Sequence, residues 1–282
     1  MVIELALGTV QFGLAYGLHE RSQRVSDESA RDILSLAAKS GITRLDTAAA
    51  YGDIEQRLAG LIGSLDFEIV SKIPALHGQM DDPADFVAAS IQSSYNRLGE
   101  RMRGVLFHNA ADIEDGGSGS VWGCAKQFCD RLGLALGVSV YDPGEAAIKD
   151  GTMHFDMIQL PGNALDQRLV NASAALGGAE ISLRSAFLQG LLLMPYEAAI
   201  QRVPAAAQAL RRWHDWCAEE RISPLVGALS IVKALPNVRY CVVGVDDVKQ
   251  LEDILHAWDC AVAIPAPGLA VETLEIIDPR RW

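Results

Sequence analysis

Gly41-Ile42-Thr43-Arg44-Leu45-Asp46-Thr47-Ala48-Ala49-Ala50-Tyr51-Gly52 is a short apolar run that delivers an acid, then small residues, then a phenol beside a glycine. The next two apolar runs end comparably. Phe67-Glu68-Ile69-Val70-Ser71 leads into Lys72, and Gly104-Val105-Leu106-Phe107 leads into His108. Three consecutive strand-like runs therefore put a carboxylate, an amine and an imidazole at or just past their C-terminal ends. In a parallel barrel those ends converge on one face, where the loops build the active site.

Outward from this block the alternation continues. Residues 3–7 read as a first strand, followed by the turn Gly8-Thr9-Val10-Gln11-Phe12-Gly13. Ser26 can cap a helix running to Lys39, and Gly41 stops it. Residues 42–45 are the second strand, and 53–62 a helix with Ile54, Leu58, Leu61 and Ile62 on one face. Residues 67–71 make the third strand, and Pro83 opens a helix that closes at Gly99. The fourth strand is 103–107, with a helix at 121–132; the fifth is 134–139, after which Asp142-Pro143 opens a short helix. The sixth, 155–160, precedes a helix at 167–176, and the seventh is 181–184. Helices at 205–219 and 224–234, an eighth strand at 239–243 and a helix at 248–258 complete the chain.

Eight short apolar runs alternating with helices is the arithmetic of a (β/α)8 TIM barrel. A doubly wound open sheet is the competing α/β answer, and the missing Gly-x-Gly-x-x-Gly turn after the first strand weakens its dinucleotide version. No linker, composition break or low-complexity block divides the chain. Residues 1–282 are expected to form a single domain, a length that suits one barrel of ~250 residues.

Half of the residues are hydrophobic, enough for a substantial core. The net charge of −12, from 24 basic against 36 acidic residues, argues against nucleic-acid or anionic-membrane surfaces. The five cysteines form no CxxC pair and read as reduced thiols. The N-terminus lacks a basic segment before an apolar stretch, and no run approaches the ~18 apolar residues of a membrane span. The expectation is a cytoplasmic monomer or weak homo-oligomer. His19, His77, His154, His214 and His256 have no histidine four residues away and no CxxC companion, so no metal site is expected.

What could an acid, a phenol, an amine and an imidazole do together? A phenol ordinarily titrates near pH ~10 and donates its proton poorly. A nearby ammonium favours the phenolate, and a carboxylate keeps that ammonium charged and placed. The set suits protonation of a carbonyl oxygen while a nicotinamide cofactor supplies hydride to carbon. The chemistry alone leaves another answer open: a lysine at the end of a barrel strand can form a Schiff base, as in a lyase.

Leu7-Gly8-Thr9-Val10-Gln11-Phe12-Gly13, the block from Asp46 to Tyr51-Gly52, Ser71-Lys72 and the strand ending at His108 together resemble the aldo-keto reductases, in a short bacterial form. The likeness runs from the first strand to Val243-Gly244. It implies a (β/α)8 barrel using NADPH or NADH for reversible reduction of a small-molecule aldehyde or ketone. Carried over by position, Tyr51 is the general acid, Lys72 and Asp46 tune it, and His108 orients the substrate.

The cofactor positions follow in the same way. Gly8, Thr9 and Asp46 fall near the nicotinamide, and Ser139 and Gln159 where the family binds its carboxamide; Val140 stands where asparagine is usual. Arg184 replaces an aromatic residue that commonly stacks on the ring, and a planar guanidinium can stack there as well. Ser185, Leu188, Gln189 and Gly190 resemble the loop over the pyrophosphate. Gly244, Val245, Asp246, Asp247, Gln250 and Asp253 resemble the adenosine end. Asp246 and Asp247 stand where NADPH-preferring relatives place Lys or Arg, so the resemblance implies weaker NADPH discrimination, or an NADH preference.

Three rivals accompany this reading: a Schiff-base lyase using Lys72, a nucleotide-binding regulatory barrel with negligible turnover, and a dehydrogenase working on a sugar-type hydroxyl. Substrate choice is expected to lie in the loops at 13–24 and 109–120 and in the tail from Ala263. Phe12, Tyr16, Trp122 and Trp282 are the large apolar groups most able to reach the mouth. Gly116-Gly117-Ser118-Gly119 reads as a flexible connection.

Overall fold

Successive strand residues point to opposite faces, so parity decides which side chains face the barrel axis. Eight strands form a closed, all-parallel barrel in chain order: β1 (Glu4–Gly8), β2 (Arg44–Asp46), β3 (Glu68–Ile73), β4 (Met102–Phe107), β5 (Ala135–Ser139), β6 (Met157–Pro161), β7 (Glu180–Arg184) and β8 (Val238–Gly244), which pairs back with β1. This computed structural model describes residues 2–16, 23–76, 82–113, 120–146, 153–176 and 178–282. His19, His77, the Gly116–Gly119 run and parts of the 13–24 and 109–120 loops lie outside the described residues.

Leu45, Ile69, Phe107, Val138, Leu160 and Val243 turn outward into one core shared with the surrounding helices. Val70, Leu106 and Met157 form a separate cluster on the inward parity. Little space remains between it and Ala6, Ser182 and Val242, a void of ≈ 10 Å³. In β2 the same parity sends Arg44 and Asp46 inward around the outward Leu45. Arg44 closes the N-terminal end of the barrel, bonding Glu68 at 3.1 Å and Glu180 at 3.0 Å with its guanidinium carbon 4.4 Å from the Tyr240 ring centroid. Asp46 consequently stands toward the opposite rim.

The helices start where their caps dictate. Ser26, Asp82, Ser120 and Ser223 each accept a hydrogen bond from the backbone N–H three residues on, opening Asp27–Lys39, Pro83–Leu98, Val121–Leu132 and Pro224–Ala234. One expected helix shrinks: in place of 167–176 there is a single turn, Leu169–Ala172, and a 3-10 turn, Ser173–Ala175. The preceding backbone is held in another conformation, because the Asn163 side chain accepts from the N–H groups of Leu165 and Asp166. The Gln167 amide, likewise, is spent on the carbonyls of Ala164 and Ala266. A second core gathers Leu188, Leu192, Trp213 and Ile277 beneath the helices Tyr196–Arg202 and Ala207–Glu220. Among the described residues no helix is long and apolar enough to cross a membrane.

Two loops meet above β1 and β2. A Cβ on Gly13 would lie 1.9 Å from the Tyr51 carbonyl oxygen, so only glycine allows the first loop to press against the segment carrying Tyr51. Gly52 then turns the chain at φ +66°, a conformation glycine adopts without steric cost, into the helix Ile54–Ile62.

Candidate active site

β3 runs two residues beyond the apolar stretch, through the pairs Lys72↔Leu106 and Ile73↔Phe107, so Lys72 lies within the strand. The lysine interrupts the hydrophobic pattern without interrupting the ladder. It sits two residues past Val70 and shares its inward parity. Lys72 is 1 % exposed and Asp46 7 %. A charge so buried needs partners. Lys72 Nζ donates to Asp46 Oδ1 at 2.6 Å and to the Thr47 carbonyl at 3.0 Å. The second carboxylate oxygen of Asp46 accepts from Gln159 Nε2 at 2.7 Å.

The loop after β2 extends the ladder before it turns. Thr47 N–H donates to the Val70 carbonyl and Ala49 N–H to that of Lys72, and the Tyr51 N–H closes a turn onto Ala48. This leads the Tyr51 ring over Lys72, whose Nζ lies 5.3 Å from the ring centroid. His108, one residue past β4, stands edge-on to Tyr51 with ring centroids 5.9 Å apart and planes at 79°. The four residues named from the sequence thus come together.

Their electrostatics differ by position. Burial opposes the Lys72 ammonium, but the Asp46 charge, the Tyr51 phenol and the Asp46 hydrogen bond outweigh it, and the amine is held above its ordinary value. Burial, then the Lys72 charge, push His108 down to about 4, with Arg184 adding to the effect and Asp46 opposing it. The imidazole is therefore neutral at physiological pH.

A cavity of ≈ 380 Å³ opens from this group and runs across the C-terminal rim. Asp46, Tyr51 and Gln159 line it together with Gly8, Thr9, Arg184, Ser185, Gln189 and Gly190 and with Gly244, Asp246, Gln250 and Asp253 at and after the end of β8. Four residues expected beside the cofactor are not among those lining the cavity. Leu188 is fully buried in the second core, Val245 packs into the main core, and Ser139 is almost wholly buried on β5. The Asp247 carboxylate accepts from the Gln250 N–H and caps the helix Val248–Cys260. Of the aromatic residues thought able to reach the mouth, Tyr16 lines the cavity, whereas Phe12 and Trp122 belong to the main core and Trp282 packs against the second.

Other wall residues escaped the sequence reading. Gln11 lies in the Leu7–Gly13 turn already singled out; Phe187, Leu193, Leu225 and Ile254 carried no signal beyond being apolar. Glu55 was missed also. It is 3 % exposed on the helix after Tyr51 and accepts from Ser71 Oγ, from Ser94 Oγ at 3.1 Å and from Arg97 at 2.9 Å. It ties that helix to the strand residue preceding Lys72.

Do these residues suit a dinucleotide? A Cβ on Gly244 would meet the Gln11 side chain at 2.4 Å, so the glycine keeps the wall open beside it. Gln11 Oε1 is buried without a hydrogen-bond partner among the described residues, and the residue lines the cavity. Ser185, Gln189 and Gly190 all have positive φ, and all three line the cavity. A cavity of this size on the C-terminal rim, lined by small residues, a turned backbone and a few polar side chains, fits such a ligand.

The family model of the aldo/keto reductases matches residues 4–264, and the chain belongs to that family. It is an NAD(P)H-dependent oxidoreductase of that type. No curated protein matches the chain. Among solved structures it is similar to a protein assigned to the aldo-keto reductases from Pseudomonas aeruginosa. That pair shares 24% identity over 91% of this chain and 90% of the other, with a TM-score of 0.64. It is also similar to the aldo-keto reductase AKR11C1 from Bacillus halodurans in its holo form, at 17% identity over 100% and 96% of the two chains and a TM-score of 0.71. At such identities these structures speak for the fold alone.

Proposed function

With membership of the aldo/keto reductase family as premise, we propose that the chain reversibly reduces an aldehyde or ketone to the alcohol, with Tyr51 as general acid. The observation that carries this reading is the buried Lys72–Asp46 pair, 2.6 Å apart, beneath the Tyr51 ring at one end of the cavity. Of the cavity-lining residues, Gly8, Thr9, Asp46 and Gln159 would hold the nicotinamide end of the cofactor, Ser185, Gln189 and Gly190 its pyrophosphate, and Gly244, Asp246, Gln250 and Asp253 the adenosine end. When bound, the reduced nicotinamide is the source of hydride.

The protein's own part is proton transfer and placement. The Tyr51 hydroxyl gives its proton to the carbonyl oxygen as the carbon becomes tetrahedral, and the phenolate left behind is reprotonated from solvent. Lys72 stays charged and stabilises that phenolate. Asp46, the Thr47 carbonyl and, through Asp46, Gln159 fix the ammonium in place. His108, being neutral, orients the substrate oxygen by a hydrogen bond without competing as an acid. The charged, doubly bonded Lys72 also counts against the Schiff-base reading, which needs a free neutral amine.

The cofactor reading is NADPH or NADH, with weaker NADPH discrimination than is usual in the family or an NADH preference. Asp246 and Asp253 give the adenosine end carboxylates, and Lys249, the cation on that helix, pairs with Asp253 at 2.5 Å. Dissociation constants for the two cofactors test this; NADPH binding tenfold tighter, about 1.4 kcal/mol, would end it. We take residues 1–282 as one catalytic unit acting in the cytoplasm as a monomer or weak homo-oligomer; the free state of all five cysteines is in keeping with a reducing compartment.

Following reduced-nicotinamide absorbance with a panel of carbonyls tests the activity. Tyr51→Phe is expected to lower turnover by about 10²-fold or more with cofactor affinity within a few fold. Full activity in that variant would refute the assignment.

A further inference from the structure

Arg184 ends β7 and is the one Lys or Arg among the described residues lining the cavity, which it shares with Tyr51, Asp46 and Tyr16. Its Nη2 donates to the Val140 carbonyl at 2.9 Å, and no carboxylate pairs with it among the described residues. The remaining N–H groups are not buried without partners, and the residue is half-buried in the cavity wall. The other wall charges are engaged: Asp46 with Lys72, Asp253 with Lys249, and the Asp246 carboxylate with the Gln250 side-chain amide, which donates to it at 3.5 Å. Arg184 is thus a cation held at the reactive end with no anion assigned to it.

It is also rigid. Its guanidinium carbon lies 4.1 Å from the Tyr141 ring centroid, and that of Arg280 lies 3.4 Å from the same centroid. Two guanidinium groups that close to one centroid would overlap on a single face, so they sandwich the ring. Arg280 comes from the C-terminal tail and is neutralised by Asp278 at 2.6 Å, whereas Arg184 is not neutralised. Arg168 pins the Tyr141 carbonyl at 2.8 Å and Asp142 at 2.9 Å. A stacked, immobilised fork loses little freedom on binding an anion and matches a carboxylate in two parallel hydrogen bonds. The Arg184 charge bears on both Lys72 and His108, which places it within reach of the reacting centre.

We propose that Arg184 is a specificity determinant, docking a carboxylate on the substrate, so that this site takes carbonyl compounds bearing a carboxylate in preference to neutral ones. The inference rests on the reductase reading above and names its substrate class. Arg280 and Tyr141 are positioning residues for it.

The test compares 4-carboxybenzaldehyde with its neutral isostere 4-carbamoylbenzaldehyde in steady-state reduction. In parallel, benzoate and benzamide are titrated onto the protein with saturating NADH. The acid is expected to be preferred about tenfold or more in kcat/KM, mainly through KM, and benzoate to bind correspondingly tighter than benzamide. Arg184→Gln should erase both preferences, and Arg184→Lys, which keeps the charge but loses the fork, should retain part of them. Arg280→Gln should raise KM for the acid more than KM for the amide. Where Arg184→Gln does not fold, the other two variants carry the test. Equal wild-type kcat/KM for acid and amide, or a preference that survives in Arg184→Gln, overturns the inference while the reductase reading stands. Benzoate binding that depends on Arg184 without reduction of either aldehyde would overturn the reductase reading and leave the anion site.

Discussion

Replacing Lys72 by Met removes the cation and keeps most of the side-chain volume, so it separates charge from packing. Two effects follow from the geometry. The Tyr51 ring centroid lies 5.3 Å from Nζ. At an effective dielectric near 20, a unit charge at about 5 Å is worth about 3 kcal/mol to a developing phenolate, or on the order of 10²-fold in rate. That loss should appear in kcat and kcat/KM alike, because the phenolate exists only beyond the ground state. The second effect concerns stability. Asp46, 7 % exposed, would keep only the Gln159 amide as partner, and an uncompensated buried carboxylate costs about 3–5 kcal/mol unless it takes up a proton. The Lys72→Met variant should therefore gain stability relative to wild type as pH falls, and the double variant Asp46→Asn/Lys72→Met should recover much of the loss at neutral pH. The assays are steady-state aldehyde reduction, NADH binding by fluorescence, and urea unfolding from pH 5 to 8. Turnover within threefold of wild type, or a single variant no less stable than the double, would refute the reasoning.

Two further outcomes follow from groups near the same centre. His108 has its folded value pushed down to about 4 from an unfolded value near 6.5, so between those limits the unfolded chain binds more protons. Stability should fall as pH drops through that window, by no more than about 3 kcal/mol from this group, and His108→Gln should flatten the dependence of the urea midpoint on pH. Glu55→Ala would leave Ser71, Ser94 and Arg97 without their shared acceptor, at a cost of about 2–4 kcal/mol. A thermal midpoint lowered by roughly 5–15 °C would show it, and an unchanged midpoint would mean that the network contributes nothing.

Much of the fold was legible because strand and helix periods and their caps are local. Ser26 caps its helix as read, Pro83 and Gly99 bound theirs, and the eight apolar runs are the eight strands. Where the reading slipped, a non-local bond or a special side chain intervened. The Lys72 interruption hid the last residues of β3, which exist because β4 pairs beside them. Hydrogen bonds from Asn163 and Gln167, one of them to Ala266 almost a hundred residues away, cut a helix that propensity favoured.

The candidate site divides the same way. Asp46, Tyr51, Lys72 and His108 could be named from sequence because each follows or ends an apolar run, and parallel strands bring such ends to one rim. Arg184 could be named too, but not its surroundings: it was read as a stacking partner for a nicotinamide, and the Tyr141 ring beside its guanidinium had no signal in the sequence. Glu55 could not be distinguished from any acid on an amphipathic helix, because its role depends on Ser71, Ser94 and Arg97 meeting it from other elements.

Taken by itself, the order of residues determined the alternation of strands and helices and the chemistry available at each strand end, since both depend on near neighbours. Only the closed barrel decided which of those ends meet, that Lys72 and Asp46 are buried as a pair, that His108 is neutral and that Arg184 lines the cavity with Tyr51. Burial and charge at a point are set by everything that packs around it, and most of what packs around these residues lies far away along the chain.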